Sequence, residues 1–154
     1  MVIRDYRPSD SRALAELFYH TVHTVNAGDY SKAQLDAWAP EDMDLEQWSR
    51  SFAGHRCLVA EKEGVVVGFG DIVPVGCLDR LYVHRDHQRE GIASALCERL
   101  ERELPGDIVT YASLTARGFF VKRGYLAVQE RQVERRGVLL TNFRMIKERH
   151  GRRI

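Results

Sequence analysis

The sequence predicts an α/β protein, a sheet with helices on both of its faces. Three observations predict it. The hydrophobic period changes from helical to strand-like near Arg56, and β-favouring runs then alternate with helical spacing. Within 78–104 a strand, a polar loop and an amphipathic helix follow one another directly. No internal repeat, low-complexity tract or linker interrupts the chain, so residues 1–154 are expected to fold as one domain, long enough to bury a core.

The elements follow in order. Residues 2–6 make a first strand, which Pro8 and Ser9 punctuate, with Ser9 or Asp10 as a helix cap. Leu14, Leu17, Phe18, Val22 and Val25 recur with helical spacing and place a helix over 10–25, which Asn26-Ala27-Gly28-Asp29 breaks. Shorter helices are expected over 31–38, stopping before Pro40, and over 44–52. Residues 56–61 and 65–73 read as a hairpin turning at Lys62-Glu63-Gly64. A strand over 78–83 precedes the long helix, which starts at Ile92 and stops at Pro105-Gly106-Asp107. A strand over 108–112 and a helix over 114–123 come next, then strands over 125–133 and 138–147 hinged near Arg135-Arg136-Gly137.

Composition narrows the function classes. A hydrophobic content of 44% with 29% charged residues is that of an ordinary globular chain. The formal net charge of +1 gives no global pull toward nucleic acid or an anionic membrane. No apolar run approaches the ~20 residues of a membrane span, and the N-terminal MVIRDYRPSD lacks a secretion signal. Cys57, Cys77 and Cys97 are odd in number and never form C-x-x-C, which argues against a disulfide framework or zinc site and for the cytoplasm. The dinucleotide-binding G-x-G-x-x-G, the P-loop and the G-x-S-x-G elbow are all absent.

The stretch that carries chemistry is Gln88-Arg89-Glu90-Gly91-Ile92-Ala93, between a strand ending Leu-Tyr-Val and a helix whose apolar face is Ile92, Leu96, Leu100 and Leu104. Small residues at 91 and 93 let a ligand approach the backbone. The first amides of the helix lack intrahelical partners and sit at the positive end of its dipole, so the loop suits a phosphate. The bland alternative is a strand-to-helix turn that needs a glycine. In its context, this pattern resembles the acetyl-CoA site of the GNAT superfamily of N-acetyltransferases. The resemblance implies a mostly antiparallel central sheet with helices on both faces, acetyl-CoA as cofactor, and a pyrophosphate cradle made of Gln88, Arg89, Glu90, Gly91, Ile92, Ala93 and Ser94. It also implies that the strand at Leu81, Tyr82 and Val83 splays from its neighbour and presents free amides to the thioester and pantetheine, an oxyanion site made of backbone.

A second motif, Ser113 to Tyr125, resembles the family's Asn-x-x-Ala-x-x-Phe-Tyr-x-x-x-Gly-Phe through Ala116, Phe119, Gly124 and Tyr125. It implies that Ser113, Phe119 and Phe120 line the pantetheine. Ser113 stands where Asn is usual and Phe120 where the family has a Tyr that protonates the departing thiolate, which a phenyl ring cannot do. Tyr111, Tyr30, Tyr125 or water can supply that proton, the thiolate can leave unassisted, or the domain can bind acyl-CoA without consuming it. Arg123, with Arg117 and Lys122, can reach the nucleotide phosphates or be a solvated helix charge.

A general base is expected for a protonated amine. By the strand period of two, Cys77, Asp79, Leu81 and Val83 share one face, which makes Asp79 the candidate and Asp71 the fallback; pairing of Asp79 with Arg80 or Arg56 is the structural alternative. The acceptor pocket is expected from the N-terminal helices, with His20 and His23 at i and i+3 and Tyr30, Trp38 and Trp48 nearby, a lining suited to a cationic or ring-bearing small molecule. Core-filling aromatics and surface histidines are the plainer reading, and no third ligand or H-E-x-x-H spacing supports a metal. The basic tail 147–153 raises a nucleic-acid alternative that a frayed terminus also explains. A homodimer is common in the resembled family, and the segment 20–48 resembles its bacterial stress- and toxin-resistance branch.

Overall fold

The computed structural model describes residues 1–149, so most of the basic tail lies outside the described residues. The strands are β1 (Val2–Asp5), β2 (Arg56–Lys62), β3 (Val65–Val73), β4 (Cys77–Val83), β5 (Ile108–Ser113), β6 (Leu126–Arg135) and β7 (Val138–Lys147). The helices are α1 (Ser11–Val25), α2 (Lys32–Trp38), α3 (Leu45–Arg50), α4 (Ile92–Glu101) and α5 (Arg117–Lys122). The seven strands form one sheet in the order β1-β2-β3-β4-β5-β7-β6. Every neighbouring pair is antiparallel except β4 and β5, which α4 connects as a parallel crossover.

The period of two on the central strands sorts their side chains between two cores. Leu58, Ala60, Ile72 and Leu78 pack against Ile92, Leu96 and Leu100 of α4, and Val67 joins them because a bulge opposite Ala60 and Glu61 takes it out of the alternation. Cys57, Val59 and Phe69 face the other way, onto Leu14, Phe18 and Val22 of α1 and Trp48 of α3. Helices cover both faces, which is why β2 and β3 read as continuous apolar runs. Gly68 and Gly70 let α4 descend onto the sheet: a Cβ at Gly70 would stand 3.0 Å from Leu100 Cδ1, and one at Gly68 would stand 3.1 Å from Ile92 Cγ2.

Helices α3, α4 and α5 are shorter than the sequence spacing predicts, α3 ending at Arg50. Residues 114–116 form a turn, in which Ser113 Oγ accepts from the Ala116 amide at 3.0 Å, so the helix starts at Arg117. The helix α4 ends at Glu101, whose carboxylate is buried. Arg123 donates to Glu101 Oε1 at 2.8 Å, Lys147 lies at 3.3 Å, and the Tyr125 hydroxyl donates to Oε2 at 2.7 Å. Burial raises the Glu101 pKa, but these donors outweigh it and hold it below the usual carboxylate range. Because its folded pKa is depressed, the stability it contributes is present at neutral pH and is lost as pH falls through that pKa. Replacing Glu101 with Gln leaves two cations sharing a neutral amide. It is expected to cost about 3 kcal/mol at pH 7, read from the urea midpoint, with the difference shrinking in acid.

Candidate active site

Asp79 interrupts the pairing of β4. Leu78 faces Ile72 and Arg80 faces Asp71, so Asp79 is an extra residue bulged out of the ladder. The bulge corrects the expectation that Cys77, Asp79, Leu81 and Val83 share a face. Leu78, Leu81 and Val83 all turn toward α4, while Arg80 stacks on Trp48 and Phe52, and Tyr82 packs on Phe18, on the α1 side. A one-residue insertion reverses the alternation beyond it.

The same point opens the sheet. β4 and β5 pair only at Cys77 with Val109 and Leu78 with Thr110, and then diverge. The His84 amide donates to Val67 of β3 at 2.8 Å, so by alternation the amides of Leu81 and Val83 point away from β3, into the gap. The Val83 carbonyl points there too, since it accepts from Thr21 Oγ1 at 3.2 Å and Gln88 Nε2 at 2.7 Å.

A row of four cavities, each sharing wall residues with the next, follows this gap. Its outer mouth, about 240 Å³, lies at the N-terminus of α4 between Gln88, Arg89, Gly91, Ser94 and Phe119. It continues past Val83, Ala93 and Phe120 through a segment of about 180 Å³. A neck of about 70 Å³ between Leu81, Tyr82 and Ala112 follows. It ends in a cleft of about 370 Å³ on the α1 side, walled by Trp38, Trp48, Tyr82 and Tyr111, with Asp79, Arg131 and Asn142 among its polar groups.

The outer mouth fits a phosphate. Arg89 (φ +63°) and Gly91 (φ +81°) are both left-handed, a backbone conformation that anion-binding nests use. No side chain caps the first amides of α4. A Cβ at Gly91 would meet nothing within 4 Å, so it would project into the open mouth. Glu90 turns its carboxylate aside, to Lys62 at 2.7 Å and His87 at 3.1 Å; Ile92 roots the loop in the core.

The cleft gathers some of the candidates and not others. Asp79 is half-exposed at the neck, 3.8 Å from His55 Nδ1 and 3.9 Å from Arg80 Nε. Burial raises its pKa, the Asp71 carboxylate adds to this, and Arg80 and His55 oppose it. Asp71, the fallback base, is fully buried: it accepts from Arg80 Nη2 at 2.5 Å and bonds His55 Nδ1 at 2.8 Å. The ligand atoms of His55, Asp71 and Asp79 lie within 4.8 Å of one another, but the Arg80 guanidinium already supplies the cation there, and the cluster is an ion-pair network. Tyr111 follows Thr110, the last β5 residue paired with β4, and like Asp79 it lines both neck and cleft. Arg131 lies over its ring, 4.5 Å from the centroid. Tyr30 and Trp38 also line the cleft. The Tyr30 hydroxyl is engaged twice, donating to Thr141 O at 2.7 Å and accepting from Leu114 N at 2.8 Å. Tyr125 is bound to Glu101, away from the channel.

Three expectations need correction. Arg123 is not beside the phosphate mouth but in the Glu101 network at the opposite end of α4. His20 is exposed and lines a separate groove with Glu16 and Glu41, and His23 bonds the Ala39 carbonyl at 2.8 Å; neither lines the cleft, because the face of α1 turned toward it presents Phe18. Arg117 stacks on Phe143, its guanidinium 4.4 Å from the ring centroid. Sequence spacing had also missed Arg131, Arg135 and Asn142, which the β6–β7 hairpin folds back over the cleft. Tyr82, expected to contribute through its backbone, lines three of the four cavities.

A mostly antiparallel seven-stranded sheet, split at its parallel pair and entered from a helix N-terminus, defines the acetyltransferase class of fold. The chain belongs to the GNAT family: the family model described as an acetyltransferase (GNAT) domain matches residues 26–147. It is 34% identical over 143 residues to an uncharacterized N-acetyltransferase, YafP, of Escherichia coli K12, a match spanning 93% of each chain. Among solved structures it resembles a GCN5-related N-acetyltransferase from Rhodopseudomonas palustris, with a TM-score of 0.93, 32% identity and coverage of 96% and 95%. It shares its fold with the Salmonella typhimurium acetyltransferase yncA, described with its cofactor acetyl-CoA, at a TM-score of 0.69 and 20% identity, with coverage of 96% and 93%.

Proposed function

We propose that the protein moves the acetyl group of acetyl-CoA to the primary amine of a small molecule, directly and within a ternary complex. The observation that carries this reading is the row of cavities, which leads from a mouth at the N-terminus of α4 to an aromatic cleft with Asp79 at its neck. Acetyl-CoA supplies the activated acyl group. The amides of α4 and the loop 88–91 hold its pyrophosphate, Val83, Phe119 and Phe120 flank its arm, and Ser113 can donate its hydroxyl to it. The amides of Leu81 and Val83 face the thioester oxygen as charge develops there.

Asp79 receives the proton of the incoming amine; its raised pKa brings it nearer the range a general base needs. Tyr111 protonates the departing sulfur, the role Phe120 cannot fill. All three thiols are pushed up by burial, Cys77 to about 11 and Cys57 and Cys97 to about 12, which disfavours a cysteine acyl-enzyme and supports direct transfer. A cytoplasmic location agrees with free thiols, and among the described residues no helix is long and apolar enough to cross a membrane. The test is a panel of small amines incubated with protein and acetyl-CoA, read as free thiol released. Amine-dependent release is expected; binding of acetyl-CoA with no release for any amine would instead favour an acyl-CoA sensor.

A further inference from the structure

The charges of the cleft are unequally arranged, and this bears on the acceptor. Asp79 stands at the neck, on the route from the channel. The cations Arg131 and Arg135 enter the cleft from β6, on the hairpin. Arg80 also lines it, but Asp71 neutralises Arg80. Neither Arg131 nor Arg135 forms an ion pair among the described residues: Arg131 lies over the Tyr111 ring, and Arg135 Nη1 donates to the Glu134 carbonyl at 3.0 Å. Asn142 pairs with Arg131 in the β6–β7 register, and its Oδ1 is buried without a hydrogen-bond partner.

A plain cationic amine would meet two uncompensated guanidinium groups in this space. A molecule carrying an anion as well as an amine meets complementary charge at both ends. The aromatic walls, Trp38 and Trp48 among them, suit an apolar or ring-bearing middle. Guanidinium groups bind carboxylates in a planar, two-bonded fork, and a cleft of about 370 Å³ has room for an amino-acid-sized ligand.

We infer that the acceptor is an amino carboxylate, its amine at Asp79 and its carboxylate on Arg131, with Arg135 reinforcing the charge. The inference rests on the transfer reading above and deepens it. Asn142 can turn its carboxamide to give either oxygen or nitrogen to the same ligand.

The experiment compares phenylalanine with phenethylamine, which lacks only the carboxylate, as acceptors for the full-length protein with acetyl-CoA. The readout is the ratio of their kcat/KM values, measured for wild type, Arg131→Gln, Arg131→Lys and Arg135→Gln. Wild type is expected to favour phenylalanine at least tenfold. Arg131→Gln is expected to bring the ratio toward one, Arg131→Lys to restore part of it, and Arg135→Gln to lower it less. A wild-type ratio near or below one, or a ratio unchanged in both Gln variants, would overturn the inference while leaving amine acetylation standing. Thiol release with neither acceptor, nor with other amines, would overturn the transfer reading and this inference with it.

Discussion

Asp71→Ala is expected to cost about 3–5 kcal/mol, the largest stability loss of any single change considered for this molecule. Asp71 is fully buried and answers two groups at once, the Arg80 guanidinium and the His55 ring. Arg80 cannot escape, because it is held between Trp48 and Phe52 and donates to Ser51 Oγ at 2.8 Å. Removing the carboxylate therefore leaves a confined, uncompensated cation. For a domain of this length the melting temperature should fall by about 10 °C. The double variant Asp71→Leu/Arg80→Met removes both charges and should be more stable than Asp71→Ala. A single variant within about 0.5 kcal/mol of wild type would show that Arg80 finds solvent and that the network does not brace the bulge.

Asp79→Asn should lower kcat/KM for the amine about a hundred- to a thousandfold, the usual contribution of a positioned base. The pH profile gives a second reading. Because burial raises the Asp79 pKa, the wild-type rate should climb with pH through a limb above the ordinary carboxylate value of about 3.9, and that limb should vanish in the variant. Stability should move the opposite way. A folded pKa above the unfolded one means that ionised Asp79 destabilises the fold, a cost present at neutral pH and absent below the unfolded pKa. Asp79→Asn should thus melt higher than wild type at pH 7 and no higher at pH 3. Loss of activity with no change in profile or melting would point to displaced packing at the bulge instead of a lost base.

Much of the architecture was legible because periodicity reports burial. The apolar stripe of Ile92, Leu96 and Leu100 predicted α4, and the strand-like runs over 56–61 and 65–73 predicted the β2–β3 hairpin. The opening at the N-terminus of α4 was legible for a different reason. It depends on Gly91 and on helix amides, and a glycine before an amphipathic run is local information. The cleft on the α1 side is assembled from segments far apart in sequence. Spacing placed His20 and His23 on one helix, but it could not say that this helix turns Phe18 toward the cleft. Nor could it foresee that Arg131 and Arg135 would arrive from the far hairpin. The face assignment at Asp79 failed because one inserted residue shifts the pleat, and a bulge has no signature in hydrophobicity. Arg123 looked like a phosphate ligand until the buried Glu101 supplied its counter-charge.

In the proposed reaction acetyl-CoA enters at the N-terminus of α4 and threads the gap between β4 and β5. Calorimetric titration of acetyl-CoA into wild type and Gly91→Glu tests it most directly. Glutamate at 91 would adopt a left-handed backbone against its preference and send a carboxylate into the mouth. Saturable one-to-one binding by wild type, lost or weakened at least a hundredfold in a variant with an unchanged circular dichroism spectrum, is the predicted result. Equal affinity in the two proteins, or no heat from wild type, would contradict the account.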